Sequence, residues 1–207
     1  MLQREKKKMK IYSIIKLIPP SLLFLFFLPL LSSSARLLPS RSSTTEFIKA
    51  KCNTTEFPHL CITSLSSYAP SIGDSTIQIA HAALNVSLIS ARSTSATITN
   101  LSTGGRLSAR EAEAVSDCAE ILADSVDSLR NSLKLMGRLS GREFGERIDD
   151  VQTWVSAALT DDTTCMDGFS GEAMNGEVKR MVRGRVVRLA QLTANALALI
   201  NELAPLP

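Results

Sequence analysis

Four long segments of this sequence repeat apolar side chains at alternating spacings of three and four residues. Such spacing places every repeating side chain on one face of an α-helix. The clearest stripe is Val115, Ala119, Leu122, Val126 and Leu129. The predicted helices run over about 74–101, 108–136, 143–159 and 177–203. Because none of them can bury its stripe alone, the sequence predicts an all-α fold, an up-down-up-down four-helix bundle over about 74–203.

Local residues place the ends of these elements. Ser108 and Glu111 have the spacing of a capping box, in which each side chain accepts a hydrogen bond from the other residue's amide. The pair Asp161-Asp162 is expected to end the third helix. Residues 45–70, with two prolines and a close cysteine pair, predict an N-terminal helical hairpin, so the folded domain is expected over 45–204. Residues 36–44 predict a disordered lead-in.

The first 35 residues have the order of a secretory signal peptide. A basic stretch precedes an apolar run from Leu17 to Leu31, and small residues follow it. Ser33 and Ala35 suit the positions before a cut, so cleavage is predicted after Ala35. The alternative is an uncleaved membrane anchor, but the run is short for a bilayer and prolines interrupt it. The mature chain is therefore expected to be secreted, with no membrane attachment.

Removal of this segment reverses the sign of the net charge. The whole chain has 23 basic and 20 acidic residues, a net charge of +3. Residues 1–35 contain 6 of the basic and 1 of the acidic residues, which leaves 17 against 19. A net charge of −2 removes the argument for a nucleic-acid partner.

All four cysteines follow the predicted signal peptide, and an even number in an oxidising compartment indicates two disulfides. They are Cys52, Cys61, Cys118 and Cys165. Three connectivities are possible; proximity in sequence favours pairing of the first two. The alternatives are a metal site or a free nucleophile, but no Cys-x-x-Cys pair occurs and His59 and His81 are not spaced as ligands. No metal and no cofactor are predicted.

Three Asn-x-Ser/Thr sequons are consistent with export. They predict glycosylation at Asn53, Asn85 and Asn100.

Catalytic constellations are scarce, and the charged patterns favour binding instead. Neither histidine lies near a candidate nucleophile, so catalysis is not predicted. An acidic stripe on the second predicted helix is interpreted either as a solvated face or as a docking face for a basic or polyhydroxylated surface. It comprises Glu113, Asp117, Glu120, Asp124 and Asp127. Trp154 is interpreted as core or interface packing, and the basic residues near the start of the fourth helix as a solvated face.

The sequence also resembles a known family over roughly 45–203. The resemblance rests on the cysteine spacing, on the block Thr153–Thr160 that runs on to Thr164-Cys165-Met166-Asp167-Gly168-Phe169, and on Leu192–Leu197. These segments resemble the plant invertase and pectin methylesterase inhibitor family. The Pro-Lys-Phe motif of its invertase inhibitors is missing; the corresponding stretch is Glu146–Val151. The resemblance is therefore closer to the pectin methylesterase inhibitors.

Membership would imply a four-helix bundle with an N-terminal hairpin and disulfides joining the first cysteine to the second and the third to the fourth. It implies a protein, monomeric when free, that covers the substrate cleft of pectin methylesterase in a one-to-one complex in the cell wall. The residues implied in contact with the enzyme are Glu120, Asp124, Asp127, Gln152, Thr164 and Asp167. An invertase inhibitor or a non-inhibitory wall-binding module are the alternatives.

Overall fold

The computed structural model describes residues 41–104, 107–139, 141–170 and 176–204, and these all fall within one compact unit. The predicted signal peptide and residues 36–40 lie outside the described residues. Seven α-helices are present in the described part of the chain. They are α1 (Arg41–Cys52), α2 (Pro58–Leu65), α3 (Ala69–Ile72), α4 (Thr76–Thr103), α5 (Ala109–Met136), α6 (Phe144–Asp167) and α7 (Glu177–Asn201). Short 3₁₀ turns at Ser66–Tyr68 and Gly141–Glu143 join neighbouring helices.

The long helices α4 to α7 form the four corners of an antiparallel bundle. Each packs against the helix before and after it in sequence, and α4 also packs against α7. Helices α5 and α7 therefore stand at diagonally opposite corners. The predicted all-α bundle with an N-terminal helical hairpin and two disulfides is confirmed.

Apolar stripes of the four helices meet in the centre of the bundle. On α5, Val115, Leu122 and Leu129 are fully buried. Burial of each such side chain contributes roughly 1.5–3 kcal/mol, so packing rather than helix propensity dominates the stability of these helices. The predicted capping box begins α5: the Ser108 amide donates to Glu111 Oε2 at 2.9 Å, and Ser108 Oγ accepts from the Glu111 amide at 3.4 Å. This backbone donor is the main reason why the pKa of Glu111 is lowered.

The N-terminal hairpin is fixed to the bundle by polar contacts. The Phe57 amide donates to Asn195 Oδ1 at 2.9 Å, and Asn195 Nδ2 donates back to the Phe57 carbonyl at 3.0 Å. Lys51 forms an ion pair with Glu202 at 2.6 Å. Helix α1 begins at Arg41, whereas the sequence predicts a start at 45; Thr44 and Ile48, one turn apart, are both buried.

The predicted end of the third bundle helix at Asp161-Asp162 is wrong. Helix α6 continues for five more residues, to Asp167, and Gly168 follows it. Asp162 does not terminate the helix because its side chain is buried and hydrogen-bonded to neighbouring helices instead of to its own backbone. No helix in the described part of the chain is both long and apolar enough to cross a bilayer.

Candidate protein-binding surface

The acidic stripe of α5 faces solvent. The side chains of Glu113, Asp117, Glu120, Asp124 and Asp127 are all exposed. Within the described residues, the one ion pair made by the stripe joins Asp127 to Arg130, on the next turn of the same helix. The other four carboxylates are therefore available to a partner.

Helix α6 extends this acidic surface through a residue that the sequence analysis missed. Asp161 is half-buried, and its pKa is raised, first by burial and then by the negative charge of Asp124 on α5. Two carboxylates thus oppose each other across the α5–α6 boundary. This repulsion in the free protein would be relieved by a cationic group placed between them. Asp161 lies seven residues after Trp154 on one helix face, which is the signal that could have identified it.

Trp154 lies on the exposed side of α6, so a place in the core is excluded. Its side chain is 41% exposed, one of two large apolar side chains exposed to this degree in the described part of the chain. It lies 11 residues before Cys165, or about 16 Å along α6. On antiparallel α5, residues 127–131 lie at the same height above Cys118. An exposed aromatic side chain therefore lies level with Asp127, the last residue of the acidic stripe; exposed aromatic residues are common at protein interfaces.

The disulfides have the favoured pairing and lie beside several of the predicted contact residues. Cys52 is bonded to Cys61, and Cys118 to Cys165. The second disulfide ties the middle of α5 to the end of α6. As a result Glu120, two residues after Cys118, lies at nearly the same height as the exposed Thr164, while the exposed Asp167 lies about one helical turn away.

Gln152 lies apart from the other predicted contact residues. It is half-buried, and its Nε2 donates to Asn201 Oδ1 of α7 at 2.9 Å. The structure therefore places Glu120, Asp124 and Asp127 together on the exposed face of α5. Thr164 is exposed on α6, whereas Asp167 lines a groove between α6 and α7 and Gln152 is also directed towards α7.

A buried carboxylate holds three helices in register beneath this surface. Ser125 Oγ of α5 donates to Asp162 Oδ1 at 2.8 Å, and Thr193 Oγ1 of α7 donates to Oδ2 at 3.1 Å. Burial raises the pKa of Asp162 to about 7, although both hydroxyls favour the charged form. The adjacent Asp161 adds a smaller upward shift. The site has no sequence signature, because its partners lie 37 and 31 residues away.

The raised pKa of Asp162 predicts a stability that falls as pH rises. Between its ordinary value of 3.8 and about 7, the unfolded chain loses this proton while the folded chain keeps it. The free energy of unfolding should therefore decrease by about 2–4 kcal/mol across this window and stay level above it. Asp162→Asn should abolish this decrease, because the amide does not ionise.

The asparagine amide can be accommodated, since Thr193 Oγ1 can donate to the Leu189 carbonyl at 3.1 Å and accept from the amide. Urea unfolding at several pH values measures the free energy of unfolding of the unmodified protein and of the Asp162→Asn variant. The pKa shifts of other carboxylates are common to both proteins and cancel in the comparison. If the free energy of unfolding changed equally with pH in the two proteins, the raised pKa of Asp162 would be contradicted.

Other candidate sites gain little support from the geometry. In the described part of the chain, no three His, Cys, Asp or Glu side chains are grouped so that they could hold a metal ion. A groove of about 470 Å³ runs between α6 and α7, with Asp162, Asp167 and Arg183 among its lining residues. Of the sequons, Asn53 and Asn100 are exposed and Asn85 is half-buried within α4; glycosylation of all three stays a prediction.

Comparisons with known proteins agree on one family. Residues 46–199 match the family described as "Plant invertase/pectin methylesterase inhibitor". Pectinesterase inhibitor 9 of Arabidopsis thaliana is 45% identical over 154 residues, covering 72% of this chain and 76% of that protein. The 21 kDa protein of Daucus carota is 44% identical over 151 residues, covering 72% and 78%.

The fold agrees as well. A crystal structure of a mutant pectin methylesterase inhibitor from Arabidopsis superposes with a TM-score of 0.59 at 19% identity, covering 75% of this chain and 95% of that one. Sequence and fold therefore lead to the same conclusion: this chain belongs to the plant invertase/pectin methylesterase inhibitor family.

Proposed function

We propose that this protein is a secreted inhibitor of pectin methylesterase and forms a one-to-one complex that covers the pectin-binding cleft. The observation that carries the proposal is the continuous acidic surface of α5 and α6 in a chain of this family, 45% identical to a protein named pectinesterase inhibitor. The family consists of inhibitors, so the chain acts by binding an enzyme and not by catalysis.

The geometry of this face suits obstruction of a cleft. Two packed helices, joined by the Cys118–Cys165 disulfide and by the buried Asp162 network, present a rigid convex ridge that needs little ordering on binding. Glu120 and Asp124 would accept hydrogen bonds from basic and polar groups in the cleft. Thr164 and Asp167 would extend the polar contact at the other side of the ridge. Trp154 would contribute apolar contact area, which often dominates the energy of an interface.

Direct titration against enzymes tests the proposal. Purified protein added to a plant pectin methylesterase should reduce its activity linearly and reach full inhibition at one equivalent. The same protein should leave a plant invertase active, because the Pro-Lys-Phe motif is missing from the start of α6. Invertase inhibition without methylesterase inhibition would reverse the assignment. If the protein bound pectin but inhibited neither the methylesterase nor the invertase, a non-inhibitory wall-binding module would be favoured.

The location and processing of the protein follow from the same proposal. Residues 1–35 would be removed as a signal peptide and 36–40 would form a lead-in. The inhibitor domain of the cell wall would begin with helix α1 at Arg41, four residues earlier than the sequence predicts, and extend to 204. The exposed Asn53 and Asn100 are the better placed acceptors for glycan. The free inhibitor would be a monomer.

A further inference from the structure

A dense cluster of positive charge covers the first half of α7, at the corner of the bundle diagonally opposite α5. Arg180, Gly184 and Arg188 follow at intervals of four residues, so they lie in line along the outer surface of the helix. Arg183 and Arg185 flank this line, and all four arginines are exposed. Among the described residues, none of the four forms an ion pair.

This arrangement is unfavourable for the helix itself. Arg180 and Arg183, and likewise Arg185 and Arg188, are three residues apart, a spacing at which like charges repel. Arg180 also lies near the N-terminus of α7, where the helix dipole disfavours positive charge. A bound anion would relieve both effects.

Gly184, in the centre of the cluster, is not required by the fold. Glycine is the least favourable residue in a helix interior after proline. A Cβ atom at Gly184 would meet nothing within 4 Å, and its φ lies in the ordinary range. The missing side chain leaves a shallow groove of about 360 Å³. Its lining is Arg180, Arg183, Gly184, Val187, Arg188 and Gln191. Glycine at such a place is typical of close approach between a ligand and the backbone.

We propose that this groove binds a polyuronate, a linear polysaccharide with free carboxylates. Arginine guanidinium groups bind carboxylates with two parallel hydrogen bonds. Arg180 and Arg188 are about 12 Å apart along the helix axis, a separation that suits carboxylates a few sugar units apart on one polymer and not one small anion. Gly184 and Val187 provide a flat, partly apolar floor for a sugar ring.

The choice of a polyuronate among polyanions rests on the proposed function. Hydrolysis of a pectin methyl ester releases methanol and leaves a carboxylate, so the target enzyme produces this polymer. With α7 diagonal to α5, the polymer and the enzyme can be bound at the same time. The inhibitor would thereby be concentrated on pectin that the methylesterase has already processed.

Calorimetric titration with polygalacturonate, without any methylesterase, tests the proposal. Binding should weaken as salt is added, because screening reduces the attraction. Highly methyl-esterified pectin of the same length should not bind. Arg180→Gln with Arg188→Gln should weaken binding about tenfold. Gly184→Gln keeps the charge but fills the groove; it should weaken binding several-fold while the melting temperature stays level or rises.

The matched control is Arg92→Gln with Arg138→Gln, which removes the same charge at exposed sites away from the groove. Equal weakening by the control pair would overturn the site, and so would unchanged binding by the α7 variants. No binding of polygalacturonate at low salt, or equal binding of single-stranded RNA, would overturn the ligand class. Since no enzyme is present, these failures are separate from any failure of inhibition.

Discussion

Replacing Glu120 with Gln and Asp124 with Asn in one protein should raise the inhibition constant for pectin methylesterase about a hundredfold. Both carboxylates are exposed on α5, Asp124 lies close enough to Asp161 of α6 to raise its pKa, and neither forms an ion pair within the described residues. An enzyme contact would desolvate them, and removal of a desolvated charge leaves its basic partner unpaired. Asp127 should matter less, because Arg130 already neutralises it.

The control for this variant removes the same charge elsewhere. Asp74→Asn with Asp149→Asn changes two exposed carboxylates outside the proposed surface. Inhibition should stay within about twofold of the unmodified protein, since long-range attraction between exposed charges is screened. Circular dichroism should show full helicity in both variants. A similar loss in both would indicate attraction by net charge, and no loss in either would refute the acidic surface as the interface.

Removal of the Cys118–Cys165 disulfide should cause the largest loss of stability. In the chain-entropy account, a disulfide across 47 residues restricts the unfolded chain enough to contribute about 4 kcal/mol. The double variant Cys118→Ala, Cys165→Ala should lower the free energy of unfolding by about that amount, measured by urea denaturation. Stability of a domain this size is only about 5–15 kcal/mol, so much of it would be lost.

The second disulfide supplies the comparison. Cys52→Ala with Cys61→Ala removes a disulfide that closes a loop of 9 residues. The same account gives this disulfide a contribution of about 2.5 kcal/mol to the free energy of unfolding. This bond lies in the N-terminal hairpin, away from the acidic surface. Inhibition by this variant should therefore persist under conditions where the protein is folded. A larger loss of stability on removing Cys52–Cys61 than on removing Cys118–Cys165 would contradict the predicted order.

The two charged faces of the bundle suit two different partners, an enzyme at α5–α6 and a polyanion at α7. The α5–α6 face is acidic and carries the exposed Trp154, whereas α7 presents arginines at the opposite corner. Their separation on different corners allows each to be tested without disturbing the other. Charge removal on α7 should leave the inhibition constant measured with a short soluble substrate unchanged.

Local chemistry determined most of the architecture. Apolar spacing of three and four residues defined the faces of the long helices, since side-chain direction follows directly from position along a helix. Ser108 and Glu111 marked the start of α5 because a capping box needs only neighbouring residues. The cysteine spacing and the block around Trp154 also indicated the family, later supported by the match over residues 46–199.

Only the tertiary structure decided how the polar residues are used. Asp162 resembles a helix terminator in sequence, yet it is buried because Ser125 and Thr193 reach it from two other helices. Trp154 was interpreted as core or interface packing, and its exposure on α6 excludes the core alone. Gln152 was grouped with the contact residues, but its amide is bonded to Asn201. Periodicity states which face of a helix is apolar; which helix lies beside it, and which polar groups meet there, depends on packing between distant segments.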